Sequence, residues 1–119
     1  MILKHLRGLF MKKRISNKQK KKIAKDTWNL DRAFYEWLYP RLKCYLKKAG
    51  KVLDLDYYKV EYNDKTYTQR ECIERMIKIL DNYFLSSKVF HFSDDYHETI
   101  EMERELLGLW AKVCPIMWW

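Results

Sequence analysis

Residues 30–50 read LDRAFYEWLYPRLKCYLKKAG, and the fold is decided by this stretch. Leu30, Ala33, Phe34, Trp37, Leu38, Leu42, Tyr45, Leu46 and Ala49 recur at i, i+3, i+4 and i+7. That spacing lines up apolar side chains on one face of a helix. Pro40 stands inside the run and predicts a kink, not a stop. Gly50 fits a C-terminal cap. Upstream, Asp26 is placed to cap the helix, and Asp31 adds negative charge to its first turns.

Two more stripes lie downstream. Thr68-Gln69-Arg70-Glu71 has the form of a capping box. Behind it Cys72, Ile73, Met76, Ile77, Leu80, Tyr83 and Phe84 keep helical period to about Ser86-Ser87. Ser93 or Asp94 is placed to cap a last helix with the stripe Tyr96, Ile100, Glu103 or Arg104, Leu107, Trp110, Cys114 and Met117, whose end Pro115 threatens. Between the first two stripes, Lys51–Tyr67 loses the helical period. Val60, Tyr62 and Tyr67 flank Asn63-Asp64 there, which suits a short β-hairpin or an irregular loop. The expectation is an all-α fold: a compact bundle of three principal helices, a basic N-terminal helical arm and a short hairpin insert. Leu30, Phe34, Trp37, Leu38, Leu42, Ile73, Met76, Ile77, Leu80, Leu107 and Trp110 should form one core.

With 119 residues the chain fits one such domain. Glycine and proline are scarce, three and two, which favours helices over a many-stranded sheet. The net charge of +8 hides an asymmetry. Residues 1–25 hold ten Lys or Arg and no acid, while 26–119 hold fourteen Lys or Arg against sixteen Asp or Glu. Residues 1–25 are therefore read as a basic amphipathic arm and 26–119 as the helical domain. Ile2, Leu3, Leu6, Leu9 and Phe10 give the arm's first turns an apolar stripe, interrupted by Gly8, and Lys12–Lys25 reads as a solvated helix or linker. No run approaches the ~20 apolar residues of a membrane span. The opening stretch is too broken by Lys4, His5 and Arg7 for a signal-peptide core. Cys44, Cys72 and Cys114 are far apart and odd in number, each in an apolar context. They read as small packed hydrophobes in a reducing, intracellular compartment.

Several groups of residues bear on function. Lys12, Lys13, Arg14, Lys18, Lys20, Lys21, Lys22 and Lys25 would attract nucleic acid, an anionic membrane surface or an acidic protein face. Tyr57, Tyr58, Tyr62 and Tyr67 interleave with Lys59 and Lys65. Such a surface suits stacking beside phosphate-binding lysines, and equally a hairpin that covers the core. Trp28, Trp37 and Trp110 lie at or on helical stripes and should pack in the core. Trp118-Trp119 should be buried too, folded back or set against another subunit, which leaves a homo-oligomer open. His91, Asp94, Asp95 and His97 match no metal-ligand spacing, so helix capping with exposed histidines is the expected role. Neighbouring acids such as Asp54 and Asp56 lack the buried setting of an acid–base pair. The glycines are isolated and form no phosphate loop. No catalytic set, metal or cofactor is expected.

Thr27-Trp28-Asn29-Leu30-Asp31, Pro40-Arg41-Leu42-Lys43, Met76-Ile77, Leu107-Gly108-Leu109-Trp110-Ala111-Lys112 and Trp118-Trp119 resemble the motifs of a family of small, uncharacterised bacteriophage proteins. The likeness covers roughly residues 26–119. The family's turn after the first helix is replaced here by Gly50-Lys51-Val52 and a longer insert, and Pro115 interrupts the final helix. The resemblance implies a phage or prophage origin and a compact helical fold, and it transfers no catalytic residues. The expected function is that of a non-catalytic accessory protein antagonising a host defence system, by occluding a host protein or sequestering a nucleotide ligand. The alternative is nucleic-acid binding through the basic arm.

Overall fold

The computed structural model describes residues 14–85 and 97–118, with the backbone of Tyr96. The chain divides into two compact units, Met1–Ala33 and Phe34–Trp119. In the first, helix α1 spans Asn17–Asp26 and buries no residue. Its start is set by a capping box that the sequence reading passed over. The Gln19 amide N–H donates to the Ser16 hydroxyl at 3.2 Å, and the Ser16 N–H donates to Gln19 Oε1 at 2.9 Å. Asp26 is thus the last residue of this helix; it stands at the N-cap position of the 3-10 turn that follows but makes no side-chain capping bond. A 3-10 turn, Thr27–Asn29, follows. Trp28 and Leu30, expected in the core, are both exposed.

Helix α2 spans Leu30–Lys48 and runs through Pro40, which faces solvent. Its buried face is Tyr35, Leu38, Leu42, Tyr45 and the following Ala49. This is a strict i, i+3, i+7 seam: Leu38, Leu42, Tyr45 and Ala49 belong to the expected stripe, and Tyr35 takes the buried place expected of Phe34 and Trp37. The reason lies in the tyrosines. Each brings a large apolar body, and each buried hydroxyl has a partner, as burial requires. Tyr35 donates to Glu103 Oε2 at 2.7 Å, and the Tyr45 oxygen accepts from Gln69 Nε2 at 3.1 Å. Trp37 is left 49% exposed on the flank, stacked on Phe34 at 6.3 Å with the Arg41 guanidinium 4.6 Å over its ring. Gly50 is not a left-handed cap: no described glycine has positive φ, and the helix tightens into a 3-10 turn over Ala49–Lys51.

The insert is a two-stranded antiparallel hairpin, β1 (Lys59–Tyr62) and β2 (Lys65–Thr68). Asn63 and Asp64 form its turn with φ of 54° and 65°. Two successive left-handed residues make a type I′ turn, whose twist matches the strands. Val60 and Tyr62 point inward, and Lys59 and Glu61 point to solvent. Helix α3 (Gln69–Ile79) begins at the expected box: Glu71 N–H donates to the Thr68 hydroxyl at 3.1 Å, and Thr68 N–H to Glu71 Oε1 at 2.9 Å. It continues as a π-helical turn over Leu80–Phe84.

Helix α4 spans Tyr96–Val113, and a 3-10 turn over Cys114–Ile116 takes up Pro115. The residues placed to cap it, Ser93 and Asp94, lie outside the described residues. Its core face is Leu106, Leu109 and Val113; Leu107 and Cys114 are exposed and Trp110 is half-buried. The apolar run here covers adjacent faces, so period alone does not choose between them. Packing chooses: Gly108 meets the ring of Tyr62, and the Cys72 thiol contacts the Leu109 carbonyl oxygen at 3.8 Å. Arg75 on α3 forms a two-pronged ion pair with Glu105 on α4. That hydrogen-bonded carboxylate raises the guanidinium pKa. Phe34 and Ile77, expected in the core, are half-buried against it. The result is a mostly helical bundle with a short hairpin, and no helix among the described residues is long and apolar enough to cross a membrane.

Candidate functional site

The N-terminus of α3 organises the functional surface. The first amides of a helix have no partner within it and must find one outside. Here the loop before the hairpin supplies them. Gln69 N–H donates to the Tyr58 carbonyl at 3.1 Å, and Arg70 N–H to the Leu55 carbonyl at 2.9 Å. Leu55 is fully buried and anchors the loop from below. The loop is also braced within itself. Asp54 Oδ1 accepts from Asp56 N–H at 3.0 Å, and the Asp54 carbonyl accepts from Tyr57 N–H at 3.2 Å. Asp56 in turn holds Arg70 at 3.3 Å and the Thr68 hydroxyl at 3.1 Å.

This bracing opens a cleft of about 220 Å³ lined by Leu53, Asp54, Tyr57, Tyr58, Gln69, Ile116 and Trp118. Tyr57 and Tyr58 meet edge to face, with ring centroids 5.2 Å apart and planes at 87°. Tyr57 is 72% and Trp118 66% exposed, so both stand at the rim. Gln69 is 3% exposed. Both hydrogens of its side-chain amide are taken, by Tyr45 Oη at 3.1 Å and the Ile116 carbonyl at 3.3 Å. Among the described residues no donor meets its Oε1. Every fully buried side-chain nitrogen or oxygen among them does have a partner. The oxygen therefore keeps some access to solvent, and Gln69 is among the residues that line the cleft.

The five residues expected to bind a ligand are split. Tyr57 and Tyr58 line the cleft. Lys59 turns outward and donates from Nζ to the Asp56 carbonyl at 3.3 Å. Lys65 is exposed at the turn end of β2. Tyr62 packs on α4, its hydroxyl donating to the Arg104 carbonyl at 3.3 Å. Strand alternation puts Lys59 on the face opposite Tyr62, whereas Lys65 pairs with Tyr62 across the turn and stands beside it at the hairpin's end, away from Tyr57 and Tyr58. Trp118, expected to be buried, is exposed, and Trp119 lies outside the described residues. Asp54 and Gln69 were missed. Gln69 carries no signal of its own, because it is the second residue of a capping box and reads as helix.

Arg14, Lys18, Lys20, Lys21, Lys22 and Lys25 are all exposed; Lys12 and Lys13 lie outside the described residues. Lys18, Lys21, Lys22 and Lys25 share one face of α1 by their spacing. Lys22 also sits 3.6 Å from Asp26. Of the histidine cluster, His91, Asp94 and Asp95 lie outside the described residues and His97 is exposed. The described residues contain no group of His, Cys, Asp and Glu that could hold a metal ion. Cys72 is a buried free thiol, as expected, and burial pushes its pKa up from the ordinary 9.0 to about 11. Cys44 and Cys114 are free but exposed, against expectation. Compared with known proteins, the chain matches no family, no curated protein and no solved structure.

Proposed function

We propose that this chain is a non-catalytic binding protein of phage type that antagonises a host defence system by occluding a host protein. The observation that carries this reading is the cleft at the start of α3. Aromatic rims at Tyr57, Tyr58 and Trp118 surround a floor whose Gln69 oxygen is left without an internal partner. Exposed tyrosine and tryptophan are among the residues that most often anchor a protein interface. The other route, sequestering a nucleotide, has less support, because no lysine or arginine lines the cleft to meet a phosphate. The test is capture from a bacterial host that expresses the native chain, compared with Tyr57→Ala and Trp118→Ala. Loss of the same captured host protein in both variants, with the fold unchanged by circular dichroism, supports the reading. Undiminished capture by both removes it.

A second reading has its own observation. Four lysines share the solvent-facing side of α1, a helix that buries nothing. Such a row suits the phosphates of a nucleic-acid backbone, whose contacts position without reading sequence.

A further inference from the structure

We infer that the cleft takes a cationic side chain, arginine or lysine, presented by the partner protein; this rests on the binding reading above. Three aromatic residues define the rim, and the face of an aromatic ring is electron-rich and attracts cations. The polar groups that complete the lining point to the same class of ligand. Asp54 carries a negative charge, and only its Oδ1 is engaged, by the Asp56 N–H. Gln69 has spent both donor hydrogens and presents an acceptor. A carboxylate and an amide oxygen ask for N–H donors, and a guanidinium or ammonium offers several with the matching charge.

The nearby cations do not neutralise the site. Arg70 is held by the Asp56 carboxylate and Lys59 by the Asp56 carbonyl. No ion pair reaches Asp54 among the described residues. Asp56 thus gathers the local positive charge and leaves Asp54 to the cleft. Around it, residues 26–119 hold sixteen acids against fourteen bases, so the surrounding domain does not repel a cation.

Size separates a side chain from a whole small molecule. Pockets that enclose drug-sized ligands run from about 300 to 1,000 Å³ and bury most of the ligand. This cleft is about 220 Å³, with a rim open to solvent. It seats one side chain, and the rest of the partner would cover the rim.

The experiment is a titration of the isotope-labelled full chain, followed by NMR at the Trp118 indole and Gln69 side-chain signals. The probes are N-acetyl-arginine methylamide, N-acetyl-lysine methylamide, the neutral isostere N-acetyl-norleucine methylamide, and adenosine monophosphate. The two cationic probes should give saturable shifts at both signals. The neutral probe should bind about tenfold more weakly, the size of one desolvated cation–π or charge-assisted contact. The nucleotide should leave both signals unmoved. Asp54→Asn keeps the Oδ1 that accepts from Asp56, so the loop stays braced. It should weaken the cationic probes about tenfold and leave the neutral one unchanged. Equal binding of the cationic and neutral probes, saturable binding of the nucleotide at these signals, or no shift with either cation would overturn the inference. If Trp118→Ala still loses the captured host protein in that case, the cleft is a site with a different occupant. If capture also survives, the binding reading falls with it.

Discussion

The ring of Tyr62 occupies the space that any side chain at position 108 would need. A Cβ added to Gly108 would lie 2.7 Å from both Cζ and Oη of that ring. The glycine therefore sits in the middle of α4, where its flexibility costs helix stability, because the hairpin approaches too closely for alanine. Moving the ring away would also break the hydrogen bond from its hydroxyl to the Arg104 carbonyl. Gly108→Ala should destabilise the protein by about 1–3 kcal/mol, the usual cost of overpacking. In a Tyr62→Ala background the sign should reverse. There the same change should stabilise by up to about 1 kcal/mol, the helix preference of alanine over glycine. Urea denaturation of the two single variants and the double variant closes the cycle. A Gly108→Ala effect that is equal in the two backgrounds would show that the contact has no weight.

The choice of face on α2 makes a second test. Leu38 is fully buried, and Trp37 beside it is half exposed and held by Phe34 and Arg41. Leu38→Ala should cost about 2–5 kcal/mol. Trp37→Ala, although it removes far more atoms, should cost only about 0.5–1.5 kcal/mol, the worth of an aromatic pair at a surface. Chemical denaturation ranks the two. A larger loss at Trp37 would restore the face that periodicity alone suggested.

Cys72 gives a chemical reading of the core. Its thiol is buried, while Cys44 and Cys114 are exposed. A thiol reagent under native conditions should label Cys44 and Cys114 fast and Cys72 only as the bundle opens. The burial that slows it also raises its pKa to about 11 from 9.0. A raised pKa means that the folded state binds the proton more tightly than the unfolded one. The contribution is complete below pH 9.0, and it fades as pH rises towards about 11, where the unfolded thiol ionises first. Relative to Cys72→Ala, the native chain should therefore lose stability over that alkaline window. Fast labelling of all three thiols would contradict the burial.

How far the sequence carried can be judged residue by residue. The Thr68–Glu71 box, the Asn63-Asp64 turn and the three helices were legible because each depends on contacts within a few residues. The helix faces were legible only to within one residue. Tyr45 stood in the expected stripe; Tyr35 did not, and it joins the core because Glu103, far away in sequence, completes its hydroxyl. A hydrophobic stripe has no term for such a partner. Of the seven residues that line the cleft, the sequence pointed to Tyr57, Tyr58 and Trp118. It did not point to Gln69, whose role comes from the Tyr45 hydroxyl and the Ile116 carbonyl, distant groups that take both hydrogens of its amide.

The lysine face of α1 decides between the two functional readings. Lys18, Lys21, Lys22 and Lys25 lie on a helix with no buried residue, so replacing all four with glutamine should leave the melting temperature nearly unchanged. The exposed Lys22–Asp26 pair is worth little, as surface pairs generally are. A backbone binder loses affinity linearly in log salt, with a slope of about −0.9 for each phosphate contact on duplex DNA. If α1 binds nucleic acid, the native chain should show such a slope, and the quadruple variant should flatten it by up to about four contacts' worth. The expectation here is different: host-protein capture should persist in the quadruple variant and be lost in Trp118→Ala. Fluorescence anisotropy with a labelled duplex across a salt series, run beside the capture assay, separates the two. A steep salt slope that disappears with the lysines, together with loss of capture in the same variant, would move the function from the cleft to the helix.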